Sequence, residues 1–223
     1  MQVLDVAFIV AIAIVVFFAN NEINKRRVAR YRAVAAANGL EFDPGDPSNI
    51  TSLDFEFLRR GSSNKATFTM WRPGSYSNRV FQYRYVTGSG KDRQVYNHTC
   101  ALVALPFEAA RTRLRPEGFA TRLLNKVGLD DIELESPTFN DRYRITSADK
   151  QFATALLDPS MMGWLLEVPC ELDLYLLGSW LLTVDDQRSA EELPDLLVRS
   201  EALVTHMPTV MQSLYPPAGR PSP

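Results

Sequence analysis

The chain has 223 residues, 46% of them hydrophobic and 22% charged, and its formal net charge at pH 7 is −2. Residues 1–32 hold five basic and two acidic groups, which leaves 19 of the 24 basic and 24 of the 26 acidic residues for the rest of the chain. The acidic remainder argues against a nucleic-acid-binding protein, because such a protein needs a basic face to neutralise phosphates.

An uncharged apolar stretch, Val6 to Ala19, lies near the N-terminus. As a helix, the apolar span of about 17 to 19 residues would measure roughly 26–28 Å, close to the 30 Å of a hydrocarbon core. A cleaved signal peptide has positive charge before its apolar core, whereas only Asp5 precedes or interrupts this one. The stretch predicts a membrane anchor over residues 1–21 that contacts the bilayer through residues 3–19. A buried helix of a soluble domain is the alternative.

Five basic residues follow the apolar stretch, namely Lys25, Arg26, Arg27, Arg30 and Arg32. Because Lys and Arg prefer the cytoplasmic side, we expect a single-pass protein with its N-terminus outside and its C-terminal domain in the cytoplasm. Lys25, Arg26 and Arg27 would lie near anionic lipid headgroups. Residues 22–43 are predicted to form a basic juxtamembrane helix and linker, with Gly39 at the position of a C-terminal cap.

Alternating apolar and polar residues predict four antiparallel strands after the linker. Their apolar positions are Leu53 to Phe57, Ala66 to Met70, Phe81 to Tyr85 and the run from Val95 to Leu105. Short turns separate them, including Gly88-Ser89-Gly90. Successive strands with short connections predict an antiparallel meander.

Beyond Pro106 the pattern becomes mixed. Residues 116–128, 147–157 and 160–167 are predicted helices, with Ser147 as a cap, and Leu114 ends a predicted short strand. Residues 132–135 and 142–146 are predicted strands, and residues 172–176 and 180–184 a hairpin around Gly178-Ser179. Ser189 and Glu192 have the spacing of a capping box for a final helix to about Leu214, bent near Pro194 and Pro208.

The predicted fold class is α+β: a single N-terminal transmembrane helix, then an antiparallel β-sheet domain with helices packed on one side. The domain is expected over residues 44–215 and a disordered tail over 216–223.

The run from Asp131 to Ser136, followed by Phe139-Asn140, Tyr143, Ile145 and residues 152–159, resembles a group of bacterial membrane-anchored proteins of unknown function. The resemblance spans residues 130–159 and implies a bacterial inner-membrane setting. It brings no catalytic or binding residues with it.

An acidic run supplies the first candidate for chemistry. Asp131, Glu133 and Glu135 alternate, so on a strand their carboxylates would share one face and could bind Mg²⁺ or Ca²⁺, with Asp130 nearby. They equally fit the solvent face of an edge strand, where acidic side chains discourage pairing with other strands. We therefore assign no metal ligand.

His98 and Cys100 are the second candidate, since residues two apart on a strand point the same way. Cys100 precedes Ala101, Leu102 and Val103, which favours a buried thiol over a nucleophile. The other histidine, His206, lies far along the chain, and Cys170 follows Pro169 at a predicted strand. Both cysteines are expected to be reduced in the cytoplasm.

Two further patterns are weaker. Gly88-Ser89-Gly90-Lys91 lacks the spacing of a phosphate-binding loop and joins two strands. The rings of Phe81, Tyr83 and Tyr85 could stack on bases but are more typical of a core face. The sequence therefore predicts no catalytic, cofactor or metal residue. It predicts a membrane-tethered, non-catalytic module that binds an unidentified protein or a membrane component, with a membrane-bound hydrolase using the acidic residues or a cysteine as the alternative.

Overall fold

The computed structural model describes residues 2–117, 132–167 and 172–217, and the side chains of these except residues 2–13, 75 and 76. The predicted helix over 116–128 lies almost wholly outside these residues, as do Asp130, Asp131, Cys170 and most of the tail. Those predictions are therefore untested.

The chain begins with one long helix, α1, from Gln2 to Ala37. Gly39 follows it with a φ of 64°, the left-handed conformation predicted for the cap. Among the described residues, no helix combines the length and the apolar character that a membrane crossing requires. The predicted anchor falls partly on residues 1–13, whose side chains are not described, and it stays a prediction.

Within the described residues, six antiparallel strands form one sheet. They are β1 (Glu41–Asp43), β2 (Ser62–Arg72), β3 (Ser75–Thr87), β4 (Gln94–Pro116), β5 (Tyr143–Ser147) and β6 (Asp173–Asp186). The order is β1-β2-β3-β4-β5, and β6 pairs with β4. The meander of β2, β3 and β4 confirms the sequence prediction, and β5 lies where a strand was predicted.

The 23-residue strand β4 organises the sheet, because its first half pairs with β3, its second half with β5, and β6 pairs with both halves. Pro106 does not end it: the register with β6 shifts between Ala104 and Ala109, and such an irregularity tolerates a proline. The separate short strand that we expected to end at Leu114 is therefore part of β4.

The predicted hairpin over residues 172–184 is wrong. These residues form the single strand β6, and Gly178, with a φ of 58°, lies at a register shift instead of a turn. A glycine with positive φ suits a bulge as well as a hairpin, so the dipeptide alone does not decide between them.

The described part of the chain also contains the helices α2 (Pro137–Arg142), α3 (Lys150–Leu156), α4 (Pro159–Glu167), α5 (Leu193–His206) and α6 (Val210–Leu214). The capping box of Ser189 and Glu192 is present. The predicted single helix to about Leu214, bent near Pro194 and Pro208, is instead two helices: Pro194 lies in the first turn of α5, which ends at His206, and α6 begins at Val210. Ser147 was the wrong cap for α3, because Asp149 accepts the hydrogen bonds from Gln151 and Phe152.

Two predicted strands are absent. Leu53 to Phe57 instead leads into a 3₁₀ turn, Phe57–Arg59, and residues 132–135 are irregular. The adjacent residues Phe57 and Leu58 are both buried, which a strand with one wet face would not give. The partner of β2 at that edge is the three-residue β1.

The sheet buries a hydrophobic cluster on each face. The larger cluster contains residues of every helix from α1 to α6, which confirms that the helices pack on one side. The smaller cluster, under residues 50–58, contains Phe57, Phe81, Tyr83, Tyr85 and Tyr175.

Candidate functional site

The last three turns of α1 are fastened to the sheet by an aromatic contact. The ring of Tyr31 stacks on the ring of Phe68 in β2, with centroids 4.2 Å apart and planes 13° apart. The guanidinium of Arg27, one turn earlier, lies 5.1 Å from the centroid of the same Phe68 ring. Tyr31 and Ala35 are buried, so this end of the helix belongs to the core of the domain.

Ion pairs hold the same part of α1. Arg30 donates two hydrogen bonds to Glu191, with Nε–Oε1 2.7 Å and Nη2–Oε2 2.6 Å. This pairing lowers the pKa of Glu191 to about 2 and raises that of Arg30. The end of α1 is therefore attached to the domain at two places, β2 and the 3₁₀ turn that precedes α5.

The preceding part of α1 projects away from the domain. Every residue from 14 to 27 is exposed. Its large apolar side chains are between 50% and 67% exposed: Ile14, Val15, Val16, Phe17, Phe18 and Ile23. A helix with apolar side chains exposed on all sides indicates a surface that is covered by a lipid or protein partner. Lys25 and Arg26 follow and pair with Glu22, at 4.0 and 3.6 Å.

A buried charged network is the second candidate site. Arg113 on β4 donates to Asp173 on β6 through Nε–Oδ1 at 2.9 Å and Nη2–Oδ2 at 2.6 Å. The hydroxyl of Tyr175 donates to Oδ2 of Asp173 at 2.8 Å, and Arg60 donates to that hydroxyl at 3.1 Å. Glu56 lies 3.9 Å from Arg60, so the two arginines face two carboxylates.

The electrostatics of this network are those of a structural unit. Burial raises the pKa of Tyr175 far above its ordinary value, and the neighbouring Asp173 carboxylate adds to the rise. Burial alone would lower the pKa of Arg113, but its hydrogen bonds to Asp173 outweigh this and raise it. Tyr175 therefore stays protonated and Arg113 stays charged. The pocket beside the network, lined by Arg111, Arg113 and Tyr175 among others, has a cavity volume of about 10 Å³, room for about one water molecule.

His98 and Cys100 do not form a nucleophilic pair. Cys100 is completely buried, and burial raises the pKa of its thiol well above the ordinary value, so the reactive thiolate is suppressed. The ring of His98 packs against Phe57 and Tyr85, at centroid distances of 5.1 and 5.7 Å. Neither ring nitrogen of His98 has a hydrogen-bond partner among the described residues.

The other sequence candidates are separated. Glu133 and Glu135 are exposed, and the described residues contain no group of acidic, histidine or cysteine side chains that could hold a metal ion. Phe81, Tyr83 and Tyr85 are buried in the smaller cluster and present no stacking surface. Lys91 lies in the 3₁₀ turn Gly90–Asp92 at the tip of the β3–β4 hairpin, as its two-strand context indicated.

The sequence reasoning missed the network of Arg113, Asp173 and Tyr175. Asp173 and Tyr175 alternate with Leu172, Leu174 and Leu176, and a carboxylate placed between strand leucines is a signal of a buried ion pair. Its partner could not be named, because Arg113 becomes its neighbour only through the register of β4 and β6.

Comparisons with known proteins reveal a similar fold in a solved structure but no sequence family. No protein-family model matches the sequence, and no curated protein matches it significantly. Among solved structures, the chain is similar to the mycobacterial trehalose monomycolate transport factor A, TtfA, with a TM-score of 0.59 and 13% sequence identity. The similarity covers 88% of this chain and 98% of that protein. The resemblance over residues 130–159 to membrane-anchored proteins stays a prediction.

Proposed function

We propose that this chain is a membrane-tethered, non-catalytic factor that assists the transport of a lipid by binding another protein of the membrane. The apolar half of α1 is held in lipid, the N-terminus lies outside, and the α+β domain lies in the cytoplasm. Lys25, Arg26 and Arg27 lie beside anionic headgroups.

The observation that carries the proposal is the projecting apolar part of α1. A domain that folds its own helix end into the core while leaving Ile14 to Phe18 exposed has a surface that water disfavours. A bilayer covers such a helix on all sides, and the basic residues directly after it fit the cytoplasmic headgroup layer.

Two further observations support a binding role over catalysis. Asp173 is occupied by hydrogen bonds from Arg113 and Tyr175, and Cys100 lacks the environment of a nucleophile. The fold is similar to that of a protein named as a trehalose monomycolate transport factor. Nothing in the described residues favours the hydrolase alternative.

Membrane fractionation of the full-length chain tests the tether. The wild-type chain is expected to stay in the membrane pellet after alkaline washing, and Val16→Arg with Phe17→Arg to release it. The matched control is Val198→Arg, because Val198 is 52% exposed on α5 and outside the tether. Release of the wild type, or retention of the double variant, would contradict the tether.

Lipid pulse-labelling tests the transport role. Cells that lack the chain are expected to retain a newly made lipid in the inner membrane, and the wild-type gene to restore its transfer outward. The double variant at residues 16 and 17 is expected not to restore it. An unchanged distribution of every labelled lipid class would overturn the transport role while leaving the tether intact.

A further inference from the structure

Two basic side chains face each other on the sheet without a counter-charge. Lys65 on β2 is the direct cross-strand partner of Arg84 on β3. Both are exposed, and no ion pair of the described residues involves either one. Like charges directly opposite each other destabilise a sheet, so the fold gains nothing from this pair.

The tip of the adjoining hairpin extends the positive surface. Lys91 and Arg93 are exposed at the turn between β3 and β4, and Asp92 between them is the acidic residue at this tip. We call Lys65, Arg84, Lys91 and Arg93 the basic edge. It stands out because the chain after residue 32 is acidic overall.

The contacts of α1 show where the basic edge lies. Toward its N-terminus the helix contacts Phe42 through Arg32 and then Phe68 through Tyr31 and Arg27. Phe42 pairs with Met70, so these contacts follow β2 toward its first residues. Lys65 lies three residues further in that direction, about 10 Å at the rise of a strand.

The projecting part of α1 covers a similar height. From Arg27 to Asn20 the helix rises about 10 Å, so Lys65 and its partner Arg84 reach nearly the level at which the apolar stretch ends. The negative potential of a bilayer acts over about 8–10 Å at physiological salt, and exposed basic residues at this level lie within that range.

We propose that the basic edge binds the headgroups of anionic lipids and fixes the domain against the membrane with the β3–β4 hairpin facing it. The proposal rests on the membrane tether of the proposed function. Because the body of the domain is acidic and repelled by the same surface, this edge orients the domain and leaves α6 and the far end of β4 facing the cytoplasm.

Fluorescence quenching in vesicles tests this orientation. The full-length chain, with Cys170→Ser, receives a fluorophore either at Ser89→Cys in the hairpin or at Gln212→Cys on α6, both of which are exposed positions. The vesicles contain phosphatidylcholine alone or with phosphatidylglycerol, plus a lipid that carries a nitroxide on its headgroup. We expect quenching at position 89 to be several-fold stronger than at position 212, in the anionic vesicles only.

Charge reversal supplies the control. Lys65→Glu with Arg84→Glu is expected to reduce quenching at position 89 to its value in neutral vesicles. Lys150→Glu with Arg115→Glu, which makes the same change of charge elsewhere, is expected to preserve it. Equal quenching at both positions, or no effect of the first pair, would overturn the proposal. Failure of the unaltered chain to float with any vesicles would instead contradict the tether.

Discussion

The ring of Tyr31 lies flat on the ring of Phe68, 4.2 Å between centroids, and joins the projecting helix to the second strand of the sheet. Phe68 has a φ of 54° and lies where the register between β2 and β3 shifts between Thr67 and Met70. A bulge re-aims a side chain, and here the bulge turns Phe68 toward the helix. The stacked rings therefore attach this end of the helix to the sheet.

Replacing Tyr31 by alanine is expected to destabilise the domain by about 3 kcal/mol, since a buried aromatic ring and its stacked partner are lost. Urea denaturation of the full-length chain in detergent measures the change. Trypsin is also expected to cleave faster after Arg27 and Arg30, because the helix end leaves the sheet.

The control for this prediction is Arg30→Ala. Arg30 is bound to Glu191 at the exposed surface, where an ion pair contributes little, so the midpoint of denaturation is expected to move far less. An equal loss in both variants would show that the stacked rings are not the main attachment of α1.

Breaking the buried ion pair is expected to be costly. Asp173→Asn leaves the charge of Arg113 without its carboxylate and removes the acceptor charge from the Tyr175 hydroxyl, a loss of about 3–5 kcal/mol. The double variant Asp173→Asn with Arg113→Met is expected to be more stable than Asp173→Asn alone, because no buried charge is left unpaired. A double-mutant cycle in urea measures both, and strictly additive losses would contradict the coupling.

The sequence predicted the parts of the fold that depend on local pattern. The meander of β2 to β4 follows from alternation and glycine turns, and the capping box of Ser189 and Glu192 from spacing. The sequence did not predict the features that depend on which strands pair. Gly88 lies in a turn and Gly178 in a bulge, although both have positive φ. Only the long partner β4 makes residues 173–186 one strand.

Some candidate sites could likewise be predicted from the sequence, and others depend on strand pairing. The apolar stretch and the basic residues after it can be read directly from the sequence. The meeting of Lys65 with Arg84 cannot be, because β2 has three register shifts that move its pairing with β3. The network of Arg113 and Asp173 likewise joins residues 60 positions apart.

Acid is expected to destabilise the domain through His98. Burial lowers the pKa of His98 in the folded state, whereas the unfolded chain has the ordinary value of about 6.5. The unfolded state therefore binds more protons below that pH, so stability is full above about pH 6.5 and falls as the pH drops toward the folded value. Urea midpoints at pH 7.5 and pH 5 measure the loss.

His98→Phe is expected to remove this pH dependence, because phenylalanine keeps the ring contacts with Phe57 and Tyr85 and takes up no proton. The matched variant His206→Phe, at an exposed position on α5, is expected to retain the wild-type difference between the two pH values. A loss between pH 7.5 and 5 that survives in the His98 variant would assign the effect to other groups.

Two glycines with similar backbone angles are expected to respond differently to alanine. Gly74 has a φ of 74° and a Cβ there would meet no atom within 4 Å, so Gly74→Ala pays only for the left-handed conformation, about 1 kcal/mol. Gly88 has a φ of 70°, but a Cβ would lie 2.3 Å from the backbone oxygen of Asp92.

Gly88→Ala must therefore displace the hairpin tip that carries Lys91 and Arg93. We expect it to cost more stability than Gly74→Ala in urea and, if the basic edge contacts lipid, to weaken the quenching at position 89, whereas Gly74→Ala leaves that quenching unchanged. Equal denaturation midpoints for the two variants would show that the tip adapts without strain.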